Sequence, residues 1–178
     1  MKLVTPDIKY KNSFLEALEE YRKEPPTNKH MRNDYYNSLS KEELENDFGS
    51  YIAKVNSYAR GENLPEGYVP ETTYWLIDKG EFIGRVNVRH ILNDYLLREA
   101  GHIGYDIRPS KRGKGYGKIM LKLALGKAQE LDIKKVLITC SVNNIASKKL
   151  IEANGGVFEN SLTTRGDKPD KLRYWIDI

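Results

Sequence analysis

Residues 107–118 read Ile-Arg-Pro-Ser-Lys-Arg-Gly-Lys-Gly-Tyr-Gly-Lys, and this short stretch decides how the chain is interpreted. The residues before it, 101–107, read as a strand that Pro109 must stop, because proline cannot donate to a sheet ladder. From Gly115 onward the apolar residues recur with a helical period. The stretch therefore predicts a glycine-rich turn that joins a strand to a helix.

The predicted turn is suited to an anionic ligand. Its glycines, Gly113, Gly115 and Gly117, let the backbone approach a ligand closely. The first N–H groups of the following helix lack intrahelical partners and lie at the positive end of its dipole, an arrangement that binds phosphate. A basic cluster without any acid surrounds the turn; it consists of Arg108, Lys111, Arg112, Lys114, Lys118 and Lys122.

Two common nucleotide-binding motifs do not fit this stretch. A Walker A loop requires Ser or Thr after its lysine, but Ile119 follows Lys118. A dinucleotide fingerprint requires GxGxxG and an acid about 20 residues later. Here the spacing is GxGxG, and Asp132, near that distance, falls at a predicted helix end. A purely structural glycine turn, or a solvated basic helix start, is the alternative to a phosphate site.

The pattern outside the turn predicts one mixed α/β domain. A helical stripe follows Gly115, and the buried strand 135–140 comes after it. The other predicted elements do not form a regular βαβ repeat. They are an edge strand at 1–5, a hairpin of 72–77 and 82–89, a helix over 144–154, a strand from 157 and a closing strand over 172–178.

The first 71 residues predict helices that precede the sheet. Ser13–Glu16 fits a capping box that opens a helix, and Pro25-Pro26 must end that helix. Ser40–Glu43 fits a second capping box. A long amphipathic helix is predicted over 41–60, with Gly61 as its C-terminal cap. Residues 61–71 read as a loop.

The composition favours a soluble enzyme-sized domain. The chain has 178 residues, 39% hydrophobic and 30% charged, and no apolar run approaches the roughly 20 residues of a membrane span. Residues 1–100 carry 14 basic and 17 acidic residues, whereas residues 101–178 carry 15 and 8, so the positive charge lies with the glycine turn. We expect a cytoplasmic protein that does not bind a membrane.

The single cysteine and the three histidines give no metal or disulfide signal. Cys140 has no second cysteine to pair with, and we interpret it as a small buried strand residue rather than a nucleophile. His30, His90 and His102 lie far apart and lack ligand spacing with acids. We therefore expect no metal.

The glycine turn and the segments around it resemble the GNAT family of acyl-CoA-dependent N-acyltransferases. The family signature R/Q-x-x-G-x-G/A matches residues 112–117, Arg-Gly-Lys-Gly-Tyr-Gly. The strand with Pro109 before the turn, the buried strand 136–140 and the segment 144–156 match in the same order. The resemblance covers about residues 72–178, and as a whole this stretch is similar to a bacterial group of predicted acetyltransferases.

The resemblance implies a GNAT-like fold and a site for acetyl-CoA. The sheet is expected to be mostly antiparallel, and the strands ending at Ile107 and Cys140 are expected to splay apart around the pantetheine arm. Residues 1–71 would form the acceptor side and residues 72–178 the acyl-CoA-binding core of one domain, 1–178. The expected cofactor-binding residues are Ile107, Arg112, Gly113, Lys114, Gly115, Tyr116, Gly117, Lys118, Asn144 and Ser147.

The implied reaction is direct attack of a primary amine on the thioester of acetyl-CoA. The amine must first lose a proton, and the oxyanion requires a donor, for which a backbone N–H near Ile107 is suited. Many family members have a tyrosine acid seven residues after the Asn of the helix segment, where this chain has Ile151. Some have a Glu base at the position of Thr139.

The remaining candidates for proton transfer lie on or near the strand before the turn. They are Glu99, His102 and Asp106, of which His102 titrates closest to neutral pH. Strand alternation puts His102 and Asp106 on one face, unless a β-bulge breaks the alternation. A water chain is the alternative base, and Tyr174 and Tyr105 are the candidate substitute acids, although a buried tyrosine is usually core.

The sequence leaves the acceptor open. The loop 61–71 and the segment 89–100 are expected to border its pocket, and their acids, Glu62, Glu66, Glu71, Asp94 and Glu99 against Arg89 and Arg98, favour a cationic small-molecule or peptide amine. The alternatives to an acetyltransferase are a non-catalytic acyl-CoA-binding module and a nucleic-acid-binding domain. The basic cluster lacks the interleaved aromatics that the latter requires. Exposed strand edges are compatible with a homodimer.

Overall fold

The computed structural model describes residues 1–24, 34–164 and 169–178. These residues form seven strands and six α-helices. The strands are β1 (Lys2–Val4), β2 (Glu71–Asp78), β3 (Glu81–Arg89), β4 (Ile103–Ile107), β5 (Lys135–Ser141), β6 (Val157–Leu162) and β7 (Lys171–Asp177). The helices are α1 (Lys11–Arg22), α2 (Asp34–Ser38), α3 (Lys41–Asn46), α4 (Phe48–Ser57), α5 (Tyr116–Gln129) and α6 (Ile145–Glu152).

The strands form two antiparallel sheets. The first has the order β1-β2-β3-β4 and the second the order β5-β7-β6. The two sheets stay separate along most of β4 and β5, which confirms the mixed α/β fold with splayed strands. The predicted strands and helices after residue 71 are all present, and the hairpin turns through Lys79 and Gly80, both with positive φ.

Two apolar clusters lie on opposite faces of the first sheet. One face of β3 and β4 packs with α5 and the second sheet, through residues such as Val86, Ile103 and Met120. The other face packs with the N-terminal helices around Phe14, which stacks on Trp75 with ring centroids 4.8 Å apart. Burial of large side chains on both faces supplies most of the stability of such a layered domain.

The N-terminal helices differ from the prediction in two places. The helix predicted over 41–60 is two helices, because Asp47 leaves the helical conformation and caps α4 by accepting from the Ser50 N–H. The capping box at Ser13 is wrong: α1 begins at Lys11, and the Ser13 hydroxyl instead accepts from the Phe82 N–H at 2.9 Å. The cap at Ser40 is confirmed. Pro25-Pro26 lies outside the described residues.

The segment that sequence patterns left ambiguous, 91–100, contains a π-helical turn at Leu96–Ala100. The turn ends at Gly101, whose φ of 67° is in the region that favours glycine. A Cβ at Gly101 would lie 2.4 Å from the Leu137 carbonyl oxygen. Gly101 therefore permits the close contact at which β4 and β5 meet.

Candidate active site

The two sheets diverge between β4 and β5. Gly101 and Ile138 form a bridge, and the His102 N–H donates to the Leu137 carbonyl at 2.7 Å. Beyond this junction, within the described residues, β4 pairs with β3 alone and β5 with β7 alone. Each of the two strands therefore has one unpaired edge, and the two unpaired edges border a V-shaped gap that opens toward the glycine turn.

β4 directs unpaired backbone groups into this gap. The Arg108 N–H donates to the Ile83 carbonyl at 2.8 Å, and the register between β3 and β4 is continuous. Bonded and non-bonded positions alternate in an antiparallel pair, so Tyr105 and Ile107 direct their N–H and C=O groups away from β3. The Ile107 carbonyl accepts from Arg112 Nε at 2.9 Å. The two N–H groups face the gap.

The glycine turn stands at the open end of the gap. Gly115 is the N-cap of α5 with a φ of 82°, and Gly113 has a φ of 72°. A Cβ on either glycine would meet no heavy atom within 4 Å, so the space beside the turn is open. A Cβ on Gly117 would lie 2.5 Å from Leu150 Cδ1, which shows how closely α5 approaches α6.

Acidic residues of the N-terminal region fasten the turn to α1. Glu20 accepts from Arg108 Nε at 2.8 Å and from the Ser110 N–H at 3.0 Å. Arg112 pairs with Glu24 through both terminal nitrogens of its guanidinium. The Arg112 side chain therefore bridges Glu24, just after the end of α1, and the end of β4, while its backbone remains part of the turn.

Half of the predicted basic cluster is neutralised by these contacts. Arg108, which is 6% exposed, and Lys111 both pair with Glu81, at 3.1 and 2.7 Å. In the described part of the chain, no acid lies within ion-pair distance of the other three, Lys114, Lys118 and Lys122. The positive charge available to a ligand is thus concentrated on the turn and the first two turns of α5.

A single groove of about 2350 Å³ connects the glycine turn, the gap and the polar face of the first sheet. Most of the predicted cofactor-binding residues line it, and among the described residues Lys114 is the one predicted member that does not. The lining members are Ile107, Arg112, Gly113, Gly115, Tyr116, Gly117, Lys118, Asn144 and Ser147. The structure therefore brings residues of β4, the turn and α6 to one surface.

The start of α6 forms one wall of the gap. Asn144 caps the helix, because its Oδ1 accepts from the Ser147 N–H at 3.0 Å. The hydroxyls of Ser147 and Tyr105 lie 2.7 Å apart across the gap. Burial raises the pKa of Tyr105 to about 12, so its hydroxyl keeps its proton at neutral pH. Burial also raises the pKa of the adjacent Cys140 thiol, which is unfavourable for a nucleophile.

The geometry around His102 does not favour a general base. Its Nδ1 accepts from the Leu137 N–H at 2.9 Å, which places the proton of the neutral ring on Nε2. Burial and the charge of Arg89 lower the pKa of His102 to about 4. His102 is 8% exposed and is not among the described residues that line the groove. His102 instead holds β4 and β5 together at their junction through its two hydrogen bonds with the Leu137 backbone.

Asp106 is the centre of a buried hydrogen-bond network. Oδ1 accepts from the hydroxyls of Tyr21 and Tyr36, at 2.8 and 2.5 Å, and Oδ2 accepts from Arg85 Nε and Nη2, both at 3.2 Å. Burial and the Asp106 charge raise the pKa of both tyrosines well above the usual value. The four donors occupy the lone pairs of both carboxylate oxygens, so Asp106 offers no free lone pair to a substrate.

Glu99 and Tyr174 lie in contrasting surroundings. Glu99 lines the groove on the turn before Gly101, and the Thr139 hydroxyl holds its backbone carbonyl at 2.7 Å. No described residue engages the Glu99 carboxylate. Tyr174 is 1% exposed, lies outside the groove lining and donates to Glu152 at 3.2 Å. Burial and then Glu152 raise the pKa of Tyr174 to about 12.

One group of groove residues that sequence reasoning did not bring together forms the face of β2, β3 and β4 opposite α5. We call it the polar floor, and the alternation of polar with apolar residues in β3, Arg85-Val86-Asn87-Val88-Arg89, was the signal for it. Of its members, Glu71 and Arg89 were singled out as residues that border the acceptor pocket, and Asp106 as a candidate for proton transfer. The polar floor consists of Glu71, Thr73, Arg85, Asn87, Arg89, Gly104 and Asp106, all of which line the groove.

The described residues contain neither a metal-binding cluster nor a membrane-spanning helix. No cluster of three or more His, Cys, Asp and Glu side chains is arranged to hold a metal ion. None of the described helices combines the length and the apolar character that crossing a membrane requires.

Comparison with protein families gives a match over most of the chain. The sequence model of the acetyltransferase (GNAT) domain matches residues 13–157. No curated protein sequence matches the chain.

Comparison with solved structures shows the same fold in several proteins. The microcin C7 self-immunity acetyltransferase MccE, in complex with acetyl-CoA and AMP, is 19% identical with a TM-score of 0.69 over 99% of this chain and 91% of that one. RimL, a ribosomal L7/L12 α-N-protein acetyltransferase in complex with coenzyme A, is 18% identical with a TM-score of 0.68 over 99% and 93%. The Vibrio cholerae spermidine N-acetyltransferase, with CoA and spermine, is 20% identical with a TM-score of 0.62 over 99% and 94%.

Proposed function

The chain belongs to the GNAT acetyltransferase family, and from that premise we propose that it transfers an acetyl group from acetyl-CoA to a primary amine by direct attack. Residues 72–178 bind the cofactor in this proposal, and residues 1–71 shape the acceptor side of the same domain. The observation that carries it is the V-shaped gap, in which two unpaired strand edges lead from the glycine turn to a tyrosine hydroxyl.

The pantetheine arm lies in the gap between β4 and β5. Its amides pair with the outward N–H groups of Tyr105 and Ile107 and with the Tyr105 carbonyl, strand-edge groups that have no other partner within the described residues. The pyrophosphate binds the N–H groups of residues 112–118, where the α5 dipole and Lys118 add positive potential. Asn144 and Ser147 contact the arm from α6.

The acetyl carbonyl lies toward the closed end of the gap. An outward N–H of β4 donates to the oxygen that becomes an oxyanion when the amine attacks, and a fixed backbone donor needs no reorganisation in that step. Of the three candidates for the base, Glu99 alone combines a place in the groove with a carboxylate that no described residue engages. Glu99 therefore removes the proton of the amine, directly or through a water.

Tyr105 supplies the proton to the departing thiolate. It replaces the family's usual tyrosine at the Ile151 position, because its hydroxyl enters the gap from β4 instead of from α6. The Ser147 hydroxyl, 2.7 Å away, orients it. Tyr174 lies outside the groove lining and packs in the hydrophobic core, so it has no role in proton transfer in this proposal.

Free-thiol release from acetyl-CoA in the presence of a panel of primary amines tests the proposed function. We expect amine-dependent thiol release and an acetylated amine in equal amounts. Binding of CoA without acetylation of any amine in the panel would instead indicate a non-catalytic acyl-CoA-binding protein.

A further inference from the structure

The polar floor contains two acids and two arginines, yet the acids offer nothing to a ligand. Asp106 accepts four hydrogen bonds from protein donors. Glu71 is 8% exposed, accepts from Asn87 Nδ2 and lies 3.6 Å from Arg89 Nε. Both carboxylates are therefore committed to the protein, and a cationic ligand would have to break these contacts to reach them.

Each arginine of the polar floor has one terminal nitrogen that is available to a ligand. Arg85 gives Nε and Nη2 to Asp106, and Arg89 gives Nη1 to the carbonyls of Gly101 and Ala100, at 3.0 and 3.5 Å. Within the described residues, Arg85 Nη1 and Arg89 Nη2 have no hydrogen-bond acceptor. The side chains are 16% and 20% exposed, and both line the groove.

Gly104 keeps the Arg89 guanidinium open to the groove. A Cβ at position 104 would lie 3.4 Å from Arg89 Nη2 and 3.6 Å from Nη1, so any longer side chain on β4 would cover these atoms. Burial lowers the pKa of Arg89 although Glu71 acts in the opposite direction. Glu71 lies beside Nε, at 3.6 Å, and the Nη2 edge of the guanidinium has no acceptor within the described residues.

The geometry points to an acceptor that carries an anionic oxygen group, a carboxylate or a phosphate, in addition to its amine. The two guanidinium edges bind this group, and Arg89 is its main anchor, because a planar guanidinium suits carboxylate and phosphate oxygens. This inference rests on the proposed acetyl transfer and adds the class of acceptor to it. Gly104 and Tyr105 are consecutive on β4 and face opposite sides of the sheet, so the proposed anion site lies one residue along the strand from Tyr105, on the face opposite its side chain.

This inference replaces the cationic acceptor that the sequence favoured. Of the acids behind that expectation, Glu62 pairs with Arg60 and Glu71 with Arg89. Glu66 and Asp94 are exposed. Glu99 remains in the groove, and in the proposed mechanism it serves the amine rather than the far end of the acceptor.

A matched series of amines tests the inference. Each of two sets, with four and six carbons, contains an amino carboxylate, the neutral alkylamine and the diamine, and 3-aminopropyl phosphate separates phosphate from carboxylate. We expect an anionic member to have the highest kcat/KM in at least one set, by about tenfold or more over the neutral amine. If the neutral amine or the diamine leads in both sets, the inference is overturned.

Two variants connect this preference to the polar floor. Arg89→Gln should bring the ratio of kcat/KM for anionic over neutral amine close to one, and Arg89→Lys should retain part of it. Because the ratio compares two substrates of one variant, general damage to the fold cancels. Arg98→Gln, which removes the same charge from an exposed side chain outside the groove lining, should leave the ratio unchanged. An unchanged ratio in Arg89→Gln contradicts the inference.

A binding measurement separates this inference from the proposed function. Calorimetry with CoA-saturated protein compares hexanoate and hexylamine, and requires no acetyl transfer. We expect hexanoate to bind more tightly to the wild-type protein and to lose this advantage in Arg89→Gln. If no amine is acetylated but hexanoate behaves in this way, the anion site stands and the catalytic proposal fails. If amines are acetylated but hexanoate binds no more tightly than hexylamine, the catalytic proposal stands and the anion site is refuted.

Discussion

The hydroxyl of Tyr105 on β4 lies 2.7 Å from the hydroxyl of Ser147 on α6, across the gap that separates the two sheets. This contact joins the two walls of the gap. It also places a protonated phenol beside the position that the thioester sulfur occupies in the proposed complex. The usual tyrosine position of the family is Ile151 in this chain, and Ile151 is fully buried in the core.

Tyr105→Phe should lower kcat for acetyl transfer by about 10²-fold, the lower end of the range for a general acid. CoA affinity should change little, because the backbone groups of residue 105 remain. The measurement is steady-state kinetics with acetyl-CoA, combined with calorimetric CoA binding.

Tyr174→Phe is the matched control, because it removes a buried hydroxyl that lies outside the groove. Its kcat should stay within a few-fold of the wild-type value. Equal losses of kcat in the two variants would refute the assignment of Tyr105.

His102 should make stability depend on pH. Its pKa falls from 6.5 to about 4 in the folded state, so folding favours the neutral ring. This contribution to the free energy of unfolding is complete above pH 6.5 and is lost as the pH falls toward 4, at most about 3 kcal/mol. The check is denaturant unfolding of the wild type and His102→Asn at pH 7 and pH 5.

The difference in stability between the wild type and His102→Asn should shrink at the lower pH. The alkaline and acidic limbs of the pH–rate profile should be the same in both proteins. If the pH–rate profile of His102→Asn lacked a limb near the ordinary histidine pKa, His102 would be the general base.

Much of the fold could be predicted because it depends on local patterns. The glycine turn, the hairpin and the strand at 135–140 are each encoded in a few consecutive residues. The break at Asp47 was missed because the apolar spacing runs through it, while a single side-chain cap decides the break. The polar floor was missed because its residues come from three strands and meet only in the sheet. The environment of His102 depends on Leu137, which is 35 residues away.

Glu20 should support both stability and cofactor binding. It holds the nearly buried Arg108 and the Ser110 N–H at the start of the glycine turn. Glu20→Gln should lower the free energy of unfolding by about 1–3 kcal/mol, since it removes the nearest of the three charge partners of a buried arginine, at 2.7 Å. CoA should bind several-fold more weakly, as measured by calorimetry.

Glu16→Gln provides the control for this effect. Glu16 also reaches Arg108, at 3.4 Å, but its side chain is 67% exposed, and exposed ion pairs contribute little. Its stability and CoA affinity should match those of the wild type. If Glu20→Gln behaves like Glu16→Gln, the acidic contacts of α1 do not hold the turn.

The central claim is that the turn at residues 112–118 holds the pyrophosphate of acetyl-CoA, and an isosteric pair of substitutions at Gly115 tests it most directly. Asn and Asp both tolerate the positive φ of this position better than other side chains. They differ in charge, and the space beside Gly115 is open to either. Calorimetric titration with CoA should show weakened binding to Gly115→Asn and no binding to Gly115→Asp, with native circular dichroism in both. Equal CoA affinity in Gly115→Asp and the wild type would contradict the account.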